Sequence, residues 1–477
     1  MPKEPCPRLV LAGLRGGSGK TTVSLGLTAA WRQAGRDVVP FKKGPDYIDA
    51  GWLALAAGRP CYNLDPFLMS WEGVLYSFAR RAAPRGINIV EGNRGLYDGL
   101  DARGEYSTAE LAKRLRAPLV LVVDCTKATR TVAALVLGCK CFDDSLNLAG
   151  VVLNRIAGSR HEAVVRASLA EYCGVPVVGA LPKLSARIAE RHMGLVPSHE
   201  VAEAGAALDF AAECARKYLD LDALEVLAQA APPIEWEAAT VECRPVADRP
   251  RIGVIRDEAF WFYYPENLEA LAEAGAEVVW LDALRDGVLP PLDGLYIGGG
   301  FPEVHAERLA ANSGFRESLR LAIEDWLPVY AECGGLMYLG RDIRVKDTAY
   351  PMVGVFLVSF GLEPKPQGHG YTVLEVEEQN PFYPPGRVVR GHEFRYSRVL
   401  DYGGGLKLAF RLERGHGFQD GRDGLIYKNV LAGYTHVHAL GTKEWAFSLV
   451  DRAAEHRGRR MAETAALAVG CPRADKA

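Results

Sequence analysis

The sequence predicts an α/β protein built from two doubly wound domains. Three observations carry that expectation. Short β-branched runs alternate with helical stretches through the first half, a Gly-rich turn joins the first run to the first helix, and a second series starts after a Pro-rich stretch within residues 220–249.

In order, RLVLAG (8–13), DVVPFK (37–42), INIVEG (87–92), PLVLVVD (118–124), LAGVVLN (148–154) and PVVGALP (176–182) read as strands. Continuous apolar runs of this length suit a parallel sheet covered on both faces. Residues 20–34 and 108–116 read as crossover helices. The expected boundaries are a first domain over 1–225, a linker over 226–249, a second domain over 250–465 and a tail over 466–477. The second series holds RIGVIRD (251–257), EVVWLD (277–282), GLYIGGG (294–300) and VYAECGG (329–335), followed by GYTVLEVE, VVRGHEF and LAGYTHVHA.

The 477 residues are too many for one ordinary core. Charged residues make up 24% and the net charge is −3, so a nucleic-acid partner is not expected. The ten cysteines form neither a CxxC pair nor a zinc spacing, which fits reduced thiols in a cytoplasm. The first residues lack a signal-peptide layout, and no apolar run approaches the ~20 residues of a membrane span.

Residues 8–22 read RLVLAGLRGGSGKTT, a strand running through a Gly-rich turn into a helix. Backbone N–H groups of such a turn and the helix N-terminus cradle phosphates. The expected nucleotide site is Gly16, Gly17, Ser18, Gly19, Lys20, Thr21 and Thr22. Lys20 reaches the terminal phosphates and Thr21 binds Mg²⁺. Leu14 stands where the strict pattern has its first glycine. The variant resembles the deviant phosphate loop of partitioning ATPases and dethiobiotin synthetases, in which a lysine often takes the place of Arg15.

Acidic residues follow related strand ends. Glu91 closes INIVEG, and KKGPDYID (42–49) and GLYDGLD (95–101) each combine glycine with carboxylates. The ligand crevice of an open parallel sheet lies at these ends, so Glu91, Asp46 and Asp98 suit metal-assisted phosphoryl transfer. Lys42 and Lys43 read either as contacts for anions or as solvated surface lysines.

KKGPDYID, VEG…GLYDG and RHMGLVPSHE (191–200), in this order behind the phosphate loop, resemble the cobyrinic acid a,c-diamide synthase family over nearly the whole chain. The resemblance implies a first domain that binds ATP–Mg²⁺ and a tetrapyrrole. It implies catalytic or substrate-selecting roles for Asp46, Tyr47, Ile48, Glu91 and Asp98. Where the family commonly has two apolar residues, this chain has Asn93-Arg94. An arginine there is able to pair with an extra carboxylate of a different macrocycle.

VYAECGG places Cys333 between a short strand and a helical stretch, the layout of a nucleophile elbow, where a helix N-terminus favours thiolate. His436, in LAGYTHVHA, is the expected proton partner. Gly299 and Gly300 are the expected oxyanion hole. These pieces resemble the class I glutamine amidotransferase domain. Its usual glutamate two residues after the histidine is here His438, so the third member of the site is left unassigned. The aromatic RDEAFWFYYPEN (256–267) and RGHEFRYS (390–397), with His392 and Arg395, also match family segments and could face substrate or an interface.

The expected reaction is ATP- and glutamine-dependent amidation of acetate carboxylates a and c of a cobyrinic-acid-like tetrapyrrole through an acyl-phosphate. Mg²⁺ is the metal, and ATP, glutamine and the tetrapyrrole polycarboxylate are the partners. A homodimer is left open. Sirohaem or sirohydrochlorin is the alternative substrate, and a partitioning-type ATPase switch the remote alternative.

Overall fold

The computed structural model describes residues 6–184, 190–191, 194–195, 201, 203–234 and 249–469. Most of the RHMGLVPSHE motif, the greater part of the Pro-rich linker and the last residues of the tail lie outside them. The chain divides into two compact units, one of Met1–Pro66 and Ser70–Ala239, the other of Phe67–Met69 and Thr240–Ala477. The helix Leu221–Gln229 runs across the boundary expected at 225, and the last helix, Glu444–Val469, extends into the expected tail.

The first unit is a seven-stranded sheet in the order β3-β2-β4-β1-β5-β6-β7. Its strands are β1 (Arg8–Gly13), β2 (Val38–Lys43), β3 (Tyr62–Leu64), β4 (Ile87–Glu91), β5 (Leu119–Asp124), β6 (Leu148–Ile156) and β7 (Val177–Pro182). Every neighbouring pair is parallel. Helix α1 (Lys20–Gln33) follows β1, and α2 (Ile48–Ala57) follows β2. Both faces of the sheet are covered, which is why β1 and β2 are buried along their whole length. The order sets the carboxyl ends of β2, β4 and β1 side by side. Within that register Lys42 is the cross-strand partner of Glu91, and Glu91 that of Leu11.

The second unit is organised on a ten-stranded sheet. Glu277–Leu281, Arg251–Ile255, Gly294–Ile297, Val329–Glu332 and Val430–Gly433 run parallel in that order. The sheet continues antiparallel through Arg422–Tyr427, Lys407–Arg414, Gly368–Val376, Val388–Arg395 and His436–Val437. Only Tyr434 and Thr435 separate Val430–Gly433 from His436–Val437, although four strands lie between them in the sheet. The antiparallel half therefore curls back on itself and carries His436 to its closing edge. Successive side chains alternate between faces. Val329 and Ala331 join the core of Leu295, Ile297 and Phe315, whereas Tyr330 joins Tyr296 and Trp445 on the other side.

Among the described residues, no helix is long and apolar enough to cross a membrane.

Candidate functional site

The phosphate loop lies between β1 and α1. Gly19 caps the helix in the left-handed region at φ 95°. It is also packed against β6, since a Cβ there would stand 2.1 Å from Asn154 Nδ2. The Asn154 amide donates to the Ser18 carbonyl at 2.9 Å, and the Ser18 hydroxyl donates to the Arg15 carbonyl at 2.8 Å. The loop is thus held from within and from a neighbouring strand. Gly16 and Gly17 are exposed, Thr22 is half-buried in the first turn of α1, and Arg15 leans on Asp124 at 3.6 Å.

A cavity of about 390 Å³ opens beside the loop, lined by Gly16, Gly17, Lys20, Thr21, Lys42, Asp49, Glu91, Gly92, Asn93, Arg94 and Asp98. Lys20 Nζ donates to the Arg94 carbonyl at 2.9 Å. Glu91 is the hub. Its carboxylate accepts from Thr21 Oγ1 at 2.8 Å, from Lys42 Nζ at 2.8 Å and from the Ser24 hydroxyl. Lys42 also donates to Asp49 at 2.9 Å.

The reading of Lys42 and Lys43 as solvated surface lysines is corrected: both are buried. A buried ammonium needs a partner. Burial opposes the charge of Lys42, but Asp49 and Glu91 outweigh it and hold its pKa well above the ordinary lysine value. Burial lowers the pKa of Lys20, with Lys42 adding to the effect.

The other expected residues gather at the same strand ends. Asp46 accepts the Asp49 N–H at 2.9 Å just ahead of α2, with Tyr47 at the helix cap and Ile48 in its first turn. Burial, then the Asp49 charge, push the Asp46 pKa up to about 7, while Lys42 pulls it down. Asp98 accepts the Gly95 N–H at 2.9 Å. Asn93 is tied to Thr108, whose hydroxyl donates to its carbonyl at 3.1 Å, and Arg94 is exposed at φ 50°. Thr21 and Glu91 present hard oxygen atoms of the kind Mg²⁺ takes alongside phosphates. Sequence reasoning missed Asp49 and Ser24, and the pairing of Lys42 with Glu91.

The second site lies at the carboxyl end of Val329–Glu332. Cys333 is buried and turns the chain at φ 48° into the helix Gly334–Leu339. That region is strained for a side chain with a Cβ and marks an elbow. The next two residues are closely packed: a Cβ on Gly334 would stand 3.1 Å from Gly300 N, a tight contact, and one on Gly335 would stand 2.6 Å from the Ile297 carbonyl, where there is no room for it. The Cys333 N–H donates to the Gly433 carbonyl at 2.7 Å, which fixes the elbow against the neighbouring strand.

His436 is buried and hydrogen-bonded to Cys333. Its Nδ1 lies 3.2 Å from Glu332 Oε2. Burial works against the charged imidazole, but Cys333 and Glu332 outweigh it and raise the His436 pKa to about 10. Gly299 packs on the ring, with room for no Cβ: one would stand 2.4 Å from Cε1. Gly299 and Gly300 pair antiparallel with Phe262 and Phe260, so the aromatic segment backs the glycine turn. Phe262 meets the His436 ring edge-on at 6.1 Å.

His392 is the cross-strand partner of His436, and the rings stack at 5.0 Å. Burial, then the positive field of His436, push the His392 pKa well below the usual histidine value. Arg395 is held in the fold, donating to the Ser397 and Gly417 carbonyls at 2.5 Å each. His438 is fully buried; its Nδ1 accepts the Leu440 N–H at 3.2 Å and its Nε2 lies 3.6 Å from Glu266. It does not take the place of the missing glutamate. Sequence reasoning missed Glu332, although a carboxylate in a buried strand is itself a signal.

Two family models match the chain. Residues 9–196 match a CobQ/CobB/MinD/ParA nucleotide binding domain, and residues 251–444 match a CobB/CobQ-like glutamine amidotransferase domain. Curated relatives match over nearly the full length. A cobyrinate a,c-diamide synthase of Magnetococcus marinus is 42% identical, with 92% of this chain and 96% of the relative covered. One of Archaeoglobus fulgidus is 40% identical (94% and 97% covered), and one of Methanothermobacter thermautotrophicus 39% (94% and 100%). The chain belongs to the cobyrinate a,c-diamide synthase family, with a phosphate-loop nucleotide-binding unit followed by a glutamine amidotransferase unit.

Proposed function

We propose that the protein is a glutamine-dependent carbon–nitrogen ligase that uses ATP to amidate acetate carboxylates a and c of a cobyrinic-acid-like tetrapyrrole. The observation that carries this reading is the Cys333–His436 pair, in a chain whose other unit holds Lys20, Thr21 and Glu91 around a phosphate loop. Neither half is complete alone. A thiol amidase needs an acceptor for its ammonia, and a carboxylate needs activation before ammonia can displace an oxygen.

In the amidotransferase unit, Cys333 Sγ attacks the side-chain amide carbon of glutamine. The tetrahedral oxyanion faces N–H groups of the Gly299–Gly300 turn. The C–N bond breaks as His436 delivers a proton to the leaving nitrogen, giving ammonia and a thioester. Water attacks the thioester, its proton taken up by His436, and glutamate leaves as the thiol is restored.

In the ATP unit, a substrate carboxylate oxygen attacks the γ-phosphorus, giving an acyl-phosphate and ADP. Ammonia then attacks the acyl carbon, the bond to the phosphate oxygen breaks, and amide and phosphate result. Lys20 and the loop N–H groups receive the phosphate charge. Mg²⁺, when bound to Thr21, Glu91 and Asp46, would neutralise charge on the phosphates. Asp46 and Asp98 are assigned catalytic roles and Tyr47, Ile48, Asn93 and Arg94 substrate contacts; Asn93, Arg94 and Asp98 line the cavity.

Exposed Arg94 in the cleft lining favours a second reading, sirohydrochlorin or sirohaem as the polycarboxylate. The deciding experiment incubates the protein with ATP, Mg²⁺, glutamine and each of cobyrinic acid, sirohydrochlorin and sirohaem. Mass spectrometry counts the exchanges of O for NH. Two exchanges on cobyrinic acid alone support the first reading, exchange on a sirohydrochlorin-type macrocycle supports the second, and none on any of them overturns both.

A further inference from the structure

We infer that Glu332, the residue immediately before the nucleophile, is the positioning carboxylate of His436 and takes the place of the glutamate absent at position 438.

The argument starts from strand geometry. Side chains alternate along Val329–Glu332, so Glu332 shares the face of Tyr330 and points toward Tyr296. Cys333 leaves the strand at the elbow. Adjacent residues of one turn therefore approach His436 from two directions. Glu332 reaches Nδ1 at 3.2 Å, which leaves Nε2 for the sulfur.

Every contact of this carboxylate fixes its aim. Oε2 also accepts the Tyr296 hydroxyl at 3.2 Å, and Oε1 accepts the Val437 N–H at 3.2 Å. Asn267 accepts the Ala439 N–H at 2.7 Å and donates to the Val437 carbonyl at 2.9 Å. Asp423 accepts the Tyr434 and Thr435 N–H groups at 3.0 and 3.2 Å. The backbone on either side of His436 is clamped, and its ring is held by one carboxylate. A carboxylate on Nδ1 keeps the proton there and stabilises the imidazolium that pairs with the Cys333 thiolate. Of the other acids beside this segment, Asp423 is taken up by the Tyr434 and Thr435 N–H groups and Glu266 faces His438.

This inference rests on the reading of Cys333 and His436 as the glutamine-hydrolysing pair. The test compares Glu332→Gln, Glu332→Asp and Cys333→Ser for glutamine-driven turnover and for inactivation by iodoacetamide across pH. Ammonia-driven amidation in the same preparations reports on the ATP unit. Glu332→Gln presents an amide to Nδ1, so kcat for glutamine falls roughly 10²–10⁴-fold, with little change in KM. The pH of half-maximal inactivation moves upward. Glu332→Asp recovers part of both losses. In a His436→Asn background, adding Glu332→Gln changes the inactivation rate by less than about twofold, the non-additivity expected of a residue that acts through His436.

Glutamine turnover within about threefold of the parent in Glu332→Gln, with an unmoved inactivation profile, overturns the proposal. Retained turnover in Cys333→Ser overturns the underlying reading instead. A measurement on the unaltered protein needs no variant to fold: ¹⁵N shifts of His436 at pH 7 are expected to show a protonated Nδ1, and an unprotonated Nδ1 overturns the assignment.

Discussion

Gly299 packs so closely on the His436 imidazole that an added Cβ would stand 2.4 Å from Cε1 and 3.2 Å from Nε2. The glycine turn and the histidine are therefore one packed unit. The His436 ring cannot yield easily, because Glu332 holds its Nδ1 and His392 stacks on it. Gly299→Ala should displace the imidazole from Cys333 and cut glutamine hydrolysis by about 10²-fold or more, as misplacements of order 1 Å do. Steady-state glutaminase assays beside ammonia-driven amidation check this; a loss confined to the glutamine reaction is expected.

Cys333→Ser should abolish glutamine-driven amidation and leave ammonia-driven amidation within about threefold of the parent, since the serine hydroxyl is not activated as a thiolate is. Assays with ammonium chloride in place of glutamine read this directly. Failure of ammonia to support amidation in this variant would break the division of labour between the two units.

Lys42 carries the charge balance of the nucleotide site. It joins Glu91 and Asp49 in a buried cluster, and removing one partner of such a cluster costs about 3–5 kcal/mol. Lys42→Met should destabilise the first unit by that order in urea denaturation. It should also weaken amidation with either nitrogen source, because Glu91 loses its anchor. A variant of parental stability would mean that the carboxylates find other partners.

Much of this was legible in the sequence because it is local. The phosphate loop, the Cys333 elbow, the strand end that carries Glu91 and the turn that carries Asp98 follow from runs of adjacent residues, and those runs decide turn and strand geometry. What escaped depends on register. Lys42 at the end of an apolar strand gives no sign that Glu91 stands opposite, because the β2–β4 pairing joins residues far apart in the chain. The same holds for His392, which meets His436 only as its cross-strand partner. Glu332 was the most accessible omission. A charged residue closing a buried strand requires a partner, and alternation separates its face from that of Ala331, but the identity of the partner depends on how the sheet curls to its last strand.

The pH dependence of stability supplies a test of the Asp46 environment. Burial and the Asp49 charge raise its pKa to about 7, against ~3.9 in an unfolded chain. Between those values the folded chain keeps a proton at Asp46 that the unfolded chain has lost. Stability contributed by this group therefore falls as pH rises from about 4 to 7 and levels off above, the reverse of a salt-bridged carboxylate with a depressed pKa. Asp46→Asn keeps an acceptor for the Asp49 N–H but cannot ionise. Relative to the parent, it should be more favourable at pH 8 than at pH 5, where the parent carboxyl is already neutral. Urea denaturation of both proteins at the two pH values measures this difference of differences. An equal gap at both pH values, or a larger one at pH 5, would show that Lys42 neutralises Asp46 as a charged carboxylate throughout.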